Sequence, residues 1–193
     1  MRPMRVIARR SATRCFVAAA ALSMATVCAA AVATGTARAR VGARPATFTL
    51  PAVPGGPTQG RFSLAEHLGR RPVVILFWAT WCAPCRQELP LYQRLYERLR
   101  GRGLVVVAIS MDDASSIGGA GPMARRMGLT FPVLSDLDTS VTTRLNPRRA
   151  APFSIWIDRN GLVVREREGF SMAEREQITR GVERLVAMQR TAP

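Results

Sequence analysis

Short unbroken apolar runs alternate along this chain with segments that carry an apolar stripe on one side only. Val73-Val74-Ile75-Leu76-Phe77-Trp78 and Leu104–Ile109 are continuous apolar runs of strand length. Runs without polar alternation suit central strands covered on both faces. Between them, Tyr92, Leu95, Tyr96 and Leu99 recur at helical spacing and predict a helix ending near Arg100, where Gly101 and Gly103 stop it. Pro90 removes a backbone donor and predicts a kink near Arg86. Downstream, Asp112–Gly121 reads as a loop, Pro122–Met127 as a short helix closed by Gly128, Phe131–Leu134 as a short strand, and Val141 with Leu145 as another short helix. Phe153–Ile157 and Leu162–Arg167 predict strands joined through Asp158-Arg159-Asn160-Gly161, in which Asn-Gly is a strong hairpin signal. Ser171 with Glu174 forms a capping-box pattern ahead of a last helix with Ile178, Val182, Leu185 and Val186 on one face. Upstream, Phe48–Leu50 is a short strand candidate within a Pro- and Gly-rich linker over residues 40–60, and Ser63–Leu68 is helix-like. This order predicts an α/β domain over residues 61–193, with a mixed central sheet and helices on both faces.

Residues 1–39 are of another kind. Arg2, Arg5, Arg9, Arg10 and Arg14 precede 23 uncharged residues, Cys15 to Ala37, and no acid occurs before Glu66. Ala37-Arg38-Ala39 offers small residues at a cleavage site, the layout of a secretory signal. The same run exceeds the ~20 residues that a membrane helix needs, so residues 15–37 read either as a cleaved signal or as a retained tether. Two minor readings, twin-arginine export through Arg9-Arg10 and a lipoprotein at Cys28, lack the flanking residues they require. The leader holds six of the 28 basic residues and none of the 13 acids, which leaves the remaining chain basic, with arginine as its only basic side chain apart from His67. A basic exported chain suits anionic surfaces or acidic partners. Nucleic acid is a poor fit, because no recognition motif accompanies the charge.

Cysteine usage changes the picture most. Cys15 and Cys28 lie in the leader, so the domain keeps Cys82 and Cys85 alone, too few for a stapled scaffold. Trp81-Cys82-Ala83-Pro84-Cys85 sits between a buried strand and a helix start. Free N–H groups and the positive dipole end of a helix favour a thiolate there, lowering thiol pKa values to roughly 3.5–7.5 in such motifs. Cys82 is then the nucleophile, and Cys85, one turn deeper, resolves the mixed disulfide. Structural zinc would want about four ligands, and two cysteines with His67 do not supply them. The sequence therefore asks for no metal and no other cofactor. Glu88 falls on the cysteine side of the helix, either as a proton partner for the deeper thiol or as an early acid favouring the helix dipole. Trp78 reads as core and Trp81 as a wall of the active site.

The segment Phe77-Trp78-Ala79-Thr80-Trp81-Cys82-Ala83-Pro84-Cys85-Arg86-Gln87-Glu88-Leu89-Pro90 resembles the TlpA/ResA-like branch of the thioredoxin superfamily, as do Met127–Leu134 and the Ile157–Gly161 turn. The resemblance runs from Phe48 to about Gly169. It implies a thioredoxin fold and an extracytoplasmic, periplasmic thiol–disulfide oxidoreductase with a redox disulfide Cys82–Cys85. It also implies a reductase direction, partners among the thiols and disulfides of exported proteins, a membrane electron donor, and service to cytochrome c maturation. Pro152 is implied to be a cis-proline facing the cysteines, with Ala151 offering backbone groups to an incoming peptide, and Glu88 matches the glutamate that part of this branch carries. Two departures stand out. Leu76 occupies the place of a buried aspartate in cytosolic thioredoxins, and Phe153 precedes Ser154 where small hydroxyl residues usually follow the proline. The rival functions fit less well. A peroxiredoxin would carry Thr or Ser at Ala79, and a copper-delivery protein would carry a histidine after Cys85.

Overall fold

The structure, a computed structural model, describes residues 41–189, so the leader and its Cys15–Ala37 run lie outside the described residues. Its centre is a five-stranded sheet in the order β5-β4-β3-β6-β7: β3 is Val73–Trp78, β4 Val105–Ser110, β5 Val133–Ser135, β6 Phe153–Ile157 and β7 Val163–Glu168. β3, β4 and β5 run parallel, and β6 and β7 are antiparallel additions. Every residue of β3 and β4 is buried. On one face, Val74, Leu76, Trp78, Val106 and Ala108 pack with helices α1 (Ala83–Leu99), α2 (Ala120–Arg126) and α4 (Arg175–Ala187). On the other, Val73, Ile75, Phe77, Val107 and Ile109 pack with α3 (Ser140–Leu145) and with the small hairpin of β1 (Thr49–Pro51) and β2 (Arg61–Ser63). This is the mixed sheet with helices on both faces that the sequence predicts, and burial of both strand faces explains why the central runs show no polar alternation.

The differences are local. Arg61–Ser63 is a strand, and only one 3-10 turn, Leu64–Glu66, follows where a longer helix-like patch is predicted. Pairing with β1 decides the matter, since Leu50 and Phe62 sit opposite each other and are both buried. His67 is half-buried, its ring 5.0 Å from that of Phe62. Helix α2 starts at Ala120, earlier than the Pro122 that the loop-like composition suggests. Gly121 lies in that first turn, where a Cβ would lie 2.1 Å from the backbone oxygen of Pro54, so only glycine allows this close approach. Helix α1 runs from Ala83 to Leu99, ending where the sequence predicts, with Pro90 inside it.

Edge strand β7 carries Arg165, Glu166, Arg167 and Glu168, the charged type of edge that discourages pairing with another chain. Arg165 lies over the Trp156 ring at 5.2 Å. Beneath that ring, α4 passes so close that a Cβ on Gly181 would meet Trp156 atoms at 2.6 and 2.7 Å. Alanine forms helix better than glycine by about 1 kcal/mol, but overpacking a filled site costs about 1–3 kcal/mol. Gly181→Ala is therefore expected to lower stability, by up to about 2 kcal/mol, in urea unfolding. Equal or greater stability would show that Trp156 moves aside freely.

Candidate active site

Strand β3 ends at Trp78, and the chain turns through Ala79–Trp81 into α1, so the cysteines stand at the carboxyl end of the central parallel strands. That end is where open α/β sheets place their sites. Asp112, just beyond β4 and almost fully buried, ties this turn down. Its carboxylate accepts the Thr80 N–H at 3.0 Å, the Thr80 hydroxyl at 2.5 Å and the Ser110 hydroxyl at 2.7 Å. Arg86 donates to the Thr80 carbonyl at 3.1 Å. Sequence reasoning missed Thr80, Ser110 and Asp112. A polar Ser–x–Asp ending an otherwise apolar buried strand was the available signal.

Cys82 caps α1 in an extended conformation and Cys85 lies one turn inside. The two are joined in a disulfide with Cα atoms 5.3 Å apart. The Cys82 sulfur accepts the Cys85 backbone N–H at 3.2 Å, one of the unpaired donors of the helix start. On reduction such a donor favours a thiolate at Cys82. Exposure differs less than the sequence suggests: Cys82 retains 3% of its surface and Cys85 none, while Trp81 beside them is 65% exposed. Cys82 thus sits at a nearly closed mouth.

Ala151 and Pro152 reach the same region from the other side of β3. Phe153 pairs with Phe77, so the antiparallel β6 begins at the end where β3 delivers the cysteines. The Ala151–Pro152 bond is cis. Pro152 is buried, and Ala151 is partly buried against the cluster that contains both cysteines.

Glu88 is buried, with 3% of its surface exposed. Burial raises its pKa from 4.5 to about 7; Arg167 opposes the rise and Glu174 adds to it. A surface acid at an early turn of a helix would not be so covered. Tyr92, one turn on, is fully buried and its hydroxyl accepts the Trp156 indole N–H at 3.2 Å. Burial first, and the charge of Glu88 second, push the Tyr92 hydroxyl far up, so it stays protonated. Leu76 packs in the same cluster as Cys85, Leu89 and Tyr92, so the carboxylate that α1 itself buries on this side of the sheet is Glu88.

The chain matches the AhpC/TSA family over residues 41–166, well over half its length. It is 32% identical over 100 residues to the thiol-disulfide oxidoreductase ResA of Geobacillus kaustophilus, an alignment covering 52% of this chain and 55% of that protein. With ResA of Geobacillus thermodenitrificans it shares 32% over 123 residues, covering 58% and 68%. The chain thus spans about half of the first of these relatives and two-thirds of the second. Among solved structures, a Chlorobium tepidum protein described as a thiol:disulfide interchange protein DsbE superimposes with a TM-score of 0.67 at 28% identity, covering 77% of this chain and 99% of that one. With its mixed sheet, its cysteine pair at a helix start and these relatives, the chain belongs to the AhpC/TSA family and has the thioredoxin fold of the ResA-like thiol–disulfide oxidoreductases.

Proposed function

We propose that this chain exchanges disulfides with extracytoplasmic proteins, acting as a reductase through Cys82 and Cys85. The observation that carries the reading is the cysteine pair at the start of α1, with the Cys85 N–H directed at the Cys82 sulfur and a buried carboxylate one turn further in. In the reduced protein the Cys82 thiolate attacks a partner disulfide, forming Cys82–S–S–partner and releasing one partner thiolate. Glu88 takes the proton of the Cys85 thiol. The Cys85 sulfur then attacks Cys82, forming the Cys82–Cys85 disulfide and releasing the second partner thiolate. Two electrons pass to the partner, and an upstream dithiol must return them. Exposed Trp81 beside Cys82, and partly buried Ala151 with cis Pro152 at the start of β6, support a platform for an extended partner peptide. The basic leader followed by an uncharged run supports an extracytoplasmic site of action, and the likeness to ResA proteins supports electron delivery to other exported thiols, with cytochrome c maturation as one such route.

Direction is tested by titrating the pair against a dithiol buffer of known potential. A reductase should lie near or below about −250 mV, whereas a strong oxidant lies near about −120 mV. A value at the oxidising end would reverse the proposed direction while leaving the exchange chemistry in place.

A further inference from the structure

Behind Cys85 the sheet carries two polar residues where its neighbours are apolar. Leu76 on β3 stands opposite Ser154 on β6, and Ser154 stands opposite Arg167 on β7. The Arg167 side chain is 7% exposed, and its Nη2 donates to a Glu174 carboxylate oxygen at 2.5 Å. Its Nη1 is buried with no hydrogen-bond partner. Glu174 is itself held, because its other oxygen accepts the Ser171 N–H at 2.8 Å in the turn that opens α4. One carboxylate thus caps a helix and anchors a guanidinium, and the guanidinium keeps a donor in reserve.

A buried donor without an acceptor costs free energy. A carboxylate that ionises beside it would relieve that cost. Glu88 is such a group. It is buried on the facing helix, and Arg167 and Glu174 are the two charges that act on it. The other titratable groups facing it are Tyr92 on its own helix and, in the reduced protein, the Cys85 thiol.

We infer that Arg167, anchored by Glu174, is the positioning residue that sets the protonation of Glu88, its free Nη1 stabilising the carboxylate whenever Glu88 is ionised. The inference rests on Glu88 being the proton acceptor of the proposed reaction. One guanidinium is shared between two acids. Glu174 holds most of it, so Glu88 is stabilised only in part and stays able both to take and to release a proton near neutral pH.

The two anchoring residues should therefore move Glu88 in opposite directions. In full-length protein with carboxyl-labelled glutamate, carbon NMR titration of oxidised Arg167→Gln should place the Glu88 midpoint about one pH unit or more above wild type. Glu174→Gln, which releases the guanidinium to Glu88, should place it below. Arg167→Lys keeps the charge and should remain near wild type, and it carries the test with Glu174→Gln if Arg167→Gln does not fold. The pH profile for resolution of a Cys82 mixed disulfide should follow these midpoints. A purely structural ion pair would shift both variants in the same direction or neither, and either result would overturn the inference. If the midpoints move apart as expected while the rate profile stays put, Arg167 sets Glu88 but Glu88 is not the acceptor. In that case it is the reading of the reaction that fails.

Discussion

Cys85→Ser is expected to accumulate a covalent complex with partner proteins, while Cys82→Ser accumulates almost none. The asymmetry follows from position. Cys82 caps α1 and its sulfur receives a backbone N–H, whereas Cys85 is fully buried one turn inside. An incoming disulfide is therefore expected to meet Cys82 first. Without the Cys85 sulfur the mixed disulfide has no internal route to resolution and persists until an external thiol attacks it. Non-reducing electrophoresis of cell envelopes, followed by mass spectrometry of the linked peptides, should find Cys82 in every adduct of the Cys85→Ser variant. Both variants should fold, since serine replaces sulfur with little change of shape. Turnover of a protein disulfide should fall by about 10³-fold or more in Cys82→Ser, as expected when a covalent nucleophile is lost. Comparable trapping by both variants would mean that the two sulfurs are equally accessible, contrary to the geometry.

Glu88→Gln is expected to change the pH dependence of stability in a direction fixed by its burial. In the folded protein the carboxyl titrates near 7, above its ordinary 4.5. Below about 4.5 it is protonated in both folded and unfolded chains and contributes no pH dependence. As pH rises from there, the unfolded chain loses this proton first, so wild-type stability falls and the loss is complete above about 7. Each pH unit of difference is worth about 1.4 kcal/mol, so the full penalty is about 3 kcal/mol. Glutamine stays neutral throughout. In the oxidised proteins, where the cysteines do not titrate, Glu88→Gln should gain on wild type by about 3 kcal/mol between pH 4.5 and 8 in denaturant titrations. The same variant should slow resolution of the mixed disulfide by about 10²-fold, the usual range for loss of a positioned proton acceptor. A stability difference that does not vary with pH would show that Glu88 is solvated and titrates ordinarily.

These two expectations also show what the sequence made legible. The unbroken apolar runs at Val73–Trp78 and Leu104–Ile109 located the central strands, because both faces of each are covered. The Asn160-Gly161 turn and the Ser171/Glu174 pattern located the hairpin and the last helix. Helical spacing put Glu88 on the side of Cys85, but spacing does not measure burial. That came from α1 lying over Leu76 with Tyr92 and Leu89 around it. Arg167 was hidden for a related reason. On a charged edge strand it looks like a solvent-facing residue, and its burial follows from pairing with Ser154 and from Glu174, seven residues on in the turn that opens α4. Thr80 and Asp112 lie 32 residues apart and meet only because β3 and β4 are neighbours.

The central claim is that Cys82 and Cys85 pass two electrons to a protein disulfide. Its most direct measurement is a single-turnover reaction between the fully reduced protein and a protein disulfide, stopped with acid and followed by counting thiols and mapping disulfides. One partner disulfide should be lost for each molecule that gains the Cys82–Cys85 bond, with a Cys82-linked intermediate appearing first and no reaction in Cys82→Ser. Loss of partner disulfides without formation of the Cys82–Cys85 bond, or an undiminished reaction in Cys82→Ser, would contradict the account.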